Sequence, residues 1–221
     1  MAMNFFRQLF NPLAPSSLVE SAFADVSGML QQSRQMLDHA LEVLLDNKPL
    51  TLDLEDMDDM VDEAERRVRR VILQHLAVNP QQDLVASLVL VSMVQDAERI
   101  GDFARGLVEL VKMARSARTG PFADELRGFA ERLRPLFALT ERAFRDADLA
   151  QAQQVVREHA MLRDGLKDYV GRLASSDLTA DMVILYAGAA QIVRRVGAHL
   201  ANIASTVIQP YDRIRHLDED V

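Results

Sequence analysis

Glu98 and Asp102 stand four residues apart within Val94-Gln-Asp-Ala-Glu-Arg-Ile-Gly-Asp-Phe-Ala104. On a helix that spacing holds two side chains within about 40° of each other on one face. The same sector leads back to Val91 and Leu84, while Met93, Ile100, Ala104, Leu107 and Val111 form a second apolar stripe. The helix is therefore expected to be covered on two sides, with two acids interrupting an apolar track. Carboxylates taken from water and set side by side raise each other's pKa, so such a pair needs a proton, a guanidinium or a cation.

An upstream segment offers the complement. Asp58, Asp62, Glu65 and Arg69 follow at i, i+4, i+7 and i+11, beside an apolar stripe of Met57, Val61, Ala64, Val68 and Val71. Antiparallel neighbours would turn these acids toward Glu98 and Asp102. Carboxylate oxygens from two rigid helices suit a hard cation such as Mg²⁺, Mn²⁺ or iron. Arg66, Arg67, Arg69, Arg70 and Arg99 suit a salt-bridge network equally well. Spacing alone leaves both readings open.

The elements that must position these acids read as helices. Apolar residues recur at helical spacing between prolines 49, 80, 121, 135 and 210, and nothing reads as a strand. The expected helices run from Ser17 to Asp46, Leu54 to Ala77, Gln81 to Arg118, Phe122 to Asp146, Asp148 to Ala174 and Asp177 to Gln209. Asn79-Pro80 breaks the second from the third, and Thr119-Gly120-Pro121 is the clearest linker. Pro135 should kink the fourth helix.

Three helices on each side of that linker suggest a duplication. At an offset of 96 residues, Gln95, Arg99, Gly101 and Val111 fall on Gln191, Arg195, Gly197 and Val207, and Leu88, Ile100 and Leu107 fall on Ile184, Val196 and Ile203. The expected fold is all-α, two tandem three-helix bundles with six main antiparallel helices. The units are an amphipathic tail at 1–16, a first repeat at 17–118, a second, degenerate repeat at 121–209 and an acidic tail at 210–221. Gly101 and Gly197, inside helices, are expected to permit close helix approach.

The run from Val94 to Ala104 resembles the signature of the PhoU family of phosphate-transport regulators, an acid-rich DxERIGDxA motif on the third helix of a three-helix repeat. The likeness extends through the Asn79-Pro80 break and covers roughly Leu18 to Gln209. It implies a duplicated helical bundle and a cluster of metal ions, such as iron, zinc or magnesium, held by paired acidic motifs on the second and third helices. Position by position, the implied ligands are Glu98 and Asp102, with Asp96 beside them, and Asp62 and Glu65. Arg69 occupies the next acidic position of the family, and Asp58 is the substitute. In the second repeat, Arg194, Ala198, Ile192 and Met161 replace Glu98, Asp102, Asp96 and Glu65, leaving Glu158 opposite Asp62. That repeat should hold no metal, and Arg194 and Arg195 are open to an anion or to pairing with Glu158.

Composition narrows the function further. The 221-residue chain has no Cys, which removes disulfides, thiolate zinc sites and cysteine nucleophiles. Its net charge of −8 disfavours a nucleic-acid binder. No histidine follows a Glu by three residues, so a di-iron oxidase of the ferritin type is unsupported, and no Gly-rich phosphate loop or nucleophile elbow is present. His199 reads as a packing residue. An enzyme, whether a metal-dependent hydrolase or an oxidase, is disfavoured for want of a positioned nucleophile. The resemblance implies a cytoplasmic regulator or adaptor whose partner is a phosphate transporter or its sensory kinase; the rival is a metal-free adaptor held by salt bridges. Phe5, Phe6, Leu9 and Phe10 suggest a tail that touches a membrane surface, a second copy of the chain or its own bundle, and no secretory signal is expected.

Overall fold

In the computed structural model, residues 17–214 are described, with side chains from 21 onward. Six helices follow one another: α1 Ser17–Leu45, α2 Leu54–Val78, α3 Leu84–Val111, α4 Pro121–Asp146, α5 Leu149–Leu173 and α6 Ala180–Ile208. A 3₁₀ turn, Tyr211–Arg213, follows. Among the described residues there is no strand. The amphipathic segment 1–16 and residues 215–221 lie outside the described residues.

The helix ends obey local chemistry. Asp53 caps α2 by accepting from the amides of Glu55 and Asp56, and Asp148 caps α5 by accepting from those of Ala150 and Gln151. α3 begins three residues later than the sequence suggests. Asp83 adopts a left-handed φ of 53°, which a right-handed helix cannot contain, and Nε2 of buried His75 bonds the carbonyl of Gln82 at 3.0 Å to hold the turn. α3 also stops at Val111 rather than Arg118. The chain turns back so that Arg118 Nε and Nη2 donate to the carbonyls of Leu44 and Val43 at 3.0 and 2.7 Å, groups the end of α1 leaves without partners. α6 starts at Ala180 rather than Asp177, behind the N-cap Thr179. α4 runs through Pro135 without a break.

α3 and α6 are the inner helices. α1 and α2 pack on α3, α4 and α5 pack on α6, α3 packs on α6, and α1 also meets α4. A single core runs through both bundles, from Val26, Met36 and Leu41 through Val89, Met93 and Ile100 to Leu185, Val193 and Leu200. Ile214, within the segment expected to be the acidic tail, is buried in this core.

The duplication is visible in contacts as well as in order. The 96-residue offset turns the α3–α6 pair Asp96–Asn202 into Ile192–Gly106. Both are found: Asn202 Nδ2 donates to Asp96 at 3.2 Å, and a Cβ on Gly106 would stand 3.4 Å from Ile192. Phe103 maps onto His199, and these two rings meet each other with centroids 5.5 Å apart. A residue that touches its own counterpart lies on a local two-fold axis, so the repeats face each other across α3 and α6.

Candidate functional site

The acid face of the first repeat is built by α2 and α3. Glu98 and Asp102 are half-buried on α3, and Asp62 and Glu65 are half-buried on α2. The four sense one another. Burial first, then the charges of Asp102, Glu65 and Asp62, push the Glu98 carboxyl up to about 7, against the opposing pull of Arg99. The α2 acids therefore lie near enough to Glu98 for their charges to act on its carboxyl.

Guanidinium groups occupy the outer side of that face. Arg66 Nη2 stands 3.2 Å from Asp62, Arg69 Nη2 2.7 Å from Glu65, and Arg99 Nη1 3.1 Å from Asp102, with Arg99 Nε 3.6 Å from Glu98. These arginines are about half exposed, and pairs of this kind each contribute little. They do not neutralise Glu98, whose carboxyl remains raised. Among the described residues, no three His, Asp or Glu side chains stand together as a metal-ligand group. A hard cation fits the chemistry of these oxygens, and it would have to displace the arginines to gather them.

Asp58 borders this face, within reach of the charges of Asp102 and Asp62, and Asp96 stands apart from it. Asp58 lies on the buried stripe of α2, between Leu54 and Val61, and is held by Arg105 of α3. Burial raises its carboxyl, Arg105 pulls it down, and Asp102 and Asp62 push it up again, so the carboxyl stays above its ordinary value despite the guanidinium. Gly101 makes this meeting of helices possible, since a Cβ there would stand 3.2 Å from Asp58 Oδ1. Asp96 faces the other repeat. Two residues from Glu98 is about 200° around the helix, so its carboxylate points into the α3–α6 seam. There it accepts from His199 Nδ1 at 2.7 Å and from Asn202 at 3.2 Å.

Two groups of functional residues are missing from the sequence reading. Arg105 was legible as a cation seven residues beyond Glu98, on the same face. His199 is part of a polar seam and not only a packing residue; its signal was the 96-residue offset, which equates it with Phe103. Arg195 sits over the Phe103 ring, 5.1 Å from its centre.

The second repeat is also in a different register from the one a constant offset gives. Gly197 is approached by His159, as Gly101 is by Asp58: a Cβ on Gly197 would be 2.9 Å from His159 Nδ1. Between α1 and α2 lie residues 46–53, but between α4 and α5 only 147 and 148, because α5 is already helical at 149–154 where the first repeat has its loop. In space Asp62 is thus matched by Arg163 rather than by Glu158. Glu158 turns toward Arg132, at 3.9 Å.

Comparison with known proteins agrees with this architecture. Residues 26–111 match the family model described as the PhoU domain. The chain is 26% identical over 197 residues to the phosphate-specific transport system accessory protein PhoU homolog 1 of Thermotoga maritima, covering 84% of this chain and 83% of the relative. The crystal structure of PhoU from Pseudomonas aeruginosa has the same fold, with a TM-score of 0.77 at 22% identity over 87% of this chain and 96% of that one. The phosphate transport system regulatory protein PhoU from Streptococcus pneumoniae also gives 0.77, at 15% identity over 86% and 93% of the two chains. The first repeat, built of α1, α2 and α3, is accordingly similar to the PhoU domain, and the chain shares the fold of the two PhoU structures.

Proposed function

We propose that this protein is a cytoplasmic regulator of phosphate transport or phosphate signalling that works as an adaptor, docking on a phosphate transporter or its sensory kinase and restraining it. The observation that carries this reading is the likeness to the Thermotoga accessory protein along 84% of the chain, which spans both repeats. Among the described residues no helix is long and apolar enough to cross a membrane.

The acid face supplies a finer element. Asp62, Glu65, Glu98 and Asp102 would hold a divalent cation such as magnesium, zinc or iron, which would supply the positive charge now shared between a proton on Glu98 and three half-exposed arginines. Binding there would tie α2 to α3, and release would leave mutually repelling carboxylates that loosen them. The arginines support the metal-free adaptor as the resting form of the same face.

Association is the direct test. The tagged full-length chain, expressed in its native host and cross-linked before extraction, should bring down components of the phosphate transporter or its sensory kinase. Recovery of neither, with the bait intact, would contradict the adaptor reading.

A further inference from the structure

Where the first repeat gathers acids, the second gathers cations. A groove of about 450 Å³ between α5 and α6 is lined by Arg163, Lys167 and Arg194, with Gln191 at its edge and Leu166 in its floor. Its one acid, Asp164, is already engaged by Arg163 Nε at 3.0 Å. Arg194 donates to Gln191 at 3.0 Å, and among the described residues neither Arg194 nor Lys167 has a carboxylate within ion-pair distance. In a chain of net charge −8, three converging cations facing a single acid reverse the prevailing sign.

The position of the groove is the second observation. Arg194 stands at the α6 equivalent of Glu98, and the register set by Gly101–Asp58 and Gly197–His159 puts Arg163 at the equivalent of Asp62 and Leu166 at that of Glu65. The two repeats therefore carry opposite charge at one place in the fold. The field reaches beneath the surface: burial first, then Arg163 and Arg194, hold His159 neutral, with its pKa lowered to about 4. Its buried Nδ1 has no hydrogen-bond partner. Guanidinium forks and an ammonium grouped over a short span are the donor set that recognises a compact, multiply charged oxyanion.

We infer that the groove formed by Arg163, Lys167 and Arg194 is a binding site for a phosphoryl oxyanion, either free inorganic phosphate or a phosphorylated side chain of a partner. The α5 cations enclose the anion from one wall, Arg194 from the other, and Gln191 adds a neutral donor. This site is independent of the transport reading, because binding is measured on the isolated protein.

Isothermal titration calorimetry of the full chain at constant ionic strength tests it, with inorganic phosphate in one arm and a phosphoserine peptide in the other. The wild type should bind at least one of them saturably, and Lys167→Glu with Arg194→Glu should weaken that binding at least tenfold. Arg132→Ala, on an arginine outside the groove, should bind as the wild type does. Phosphate binding alone assigns the groove to the free ion, and peptide binding alone to a modified partner. No saturable heat in either arm, or unchanged affinity in the folded double variant, overturns the inference.

Discussion

Nδ1 of His199 lies 2.7 Å from Oδ1 of Asp96, and the two residues belong to different repeats. Asp96 is buried and also accepts from Asn202, so one carboxylate on α3 engages two donors of α6. This polar cluster satisfies its donors in one register of the α3–α6 seam. Asp96→Ala strands both donors and should cost about 1–3 kcal/mol by chemical denaturation, with Asp96→Asn costing less. A fully stable Asp96→Ala variant would show the seam to be apolar in its energetics.

Glu98 sets a pH dependence whose sign is fixed. Its carboxyl titrates near 7 in the folded chain against the ordinary 4.5, so the folded state holds the proton more tightly than the unfolded state does. The stability it contributes is complete below about pH 4.5 and is lost as the pH rises through 7. Glu98→Gln should therefore gain stability relative to the wild type between pH 5 and pH 8, reaching about 1 kcal/mol, or a Tm increase of about 2–4 °C. Thermal melts across that range should show the difference widening with pH; a constant difference would mean that the acids do not act on Glu98.

Arg105 is the counter-ion of buried Asp58. Arg105→Ala leaves a carboxylate among apolar neighbours and should cost about 2–3 kcal/mol, less than for a fully buried pair because Arg105 is itself 47% exposed. Adding Asp58→Asn removes the stranded charge and should recover more than half of the loss. Equal stability of the single and double variants would dissociate the two residues.

The interior glycines separate by what surrounds them. A methyl on Gly197 would meet the His159 ring at 2.9 Å, whereas one on Gly28 meets nothing within 4 Å. Gly197→Ala should lose about 1–3 kcal/mol by overpacking, and Gly28→Ala should gain about 0.5–1 kcal/mol from reduced backbone freedom in the unfolded chain. The opposite order in urea titration would place the close helix approach elsewhere.

A divalent cation should raise the Tm of the wild type measured after chelator treatment, and Glu98→Gln with Asp102→Asn should abolish the response. Magnesium, zinc and ferrous ions, titrated separately, read the preference. An identical rise in the double variant would assign the effect to other carboxylates.

How much of this was legible in the sequence depended on which interactions are local. Helical periodicity found all six helices, and the Glu98–Asp102 and Asp62–Glu65 spacings found the face on which the acids meet, because both follow from 3.6 residues per turn. The ends of α3 were misjudged because they are fixed by distant partners: His75 holds the turn before it, and Arg118 is drawn away to α1. Asp96 was grouped with Glu98 by proximity along the chain, although the same helical geometry turns it to the opposite side. The register of α5 was hidden because six residues that are loop in the first repeat are helix in the second, so the offset that aligns α3 with α6 fails for α2 and α5.

The central claim, that this bundle restrains phosphate transport, is tested most directly by uptake of radiolabelled phosphate in phosphate-replete cells of the native host. Deleting the gene should raise the uptake rate severalfold, and the wild-type gene supplied in trans should return it to the starting level. Uptake that is the same with and without the protein would contradict the account.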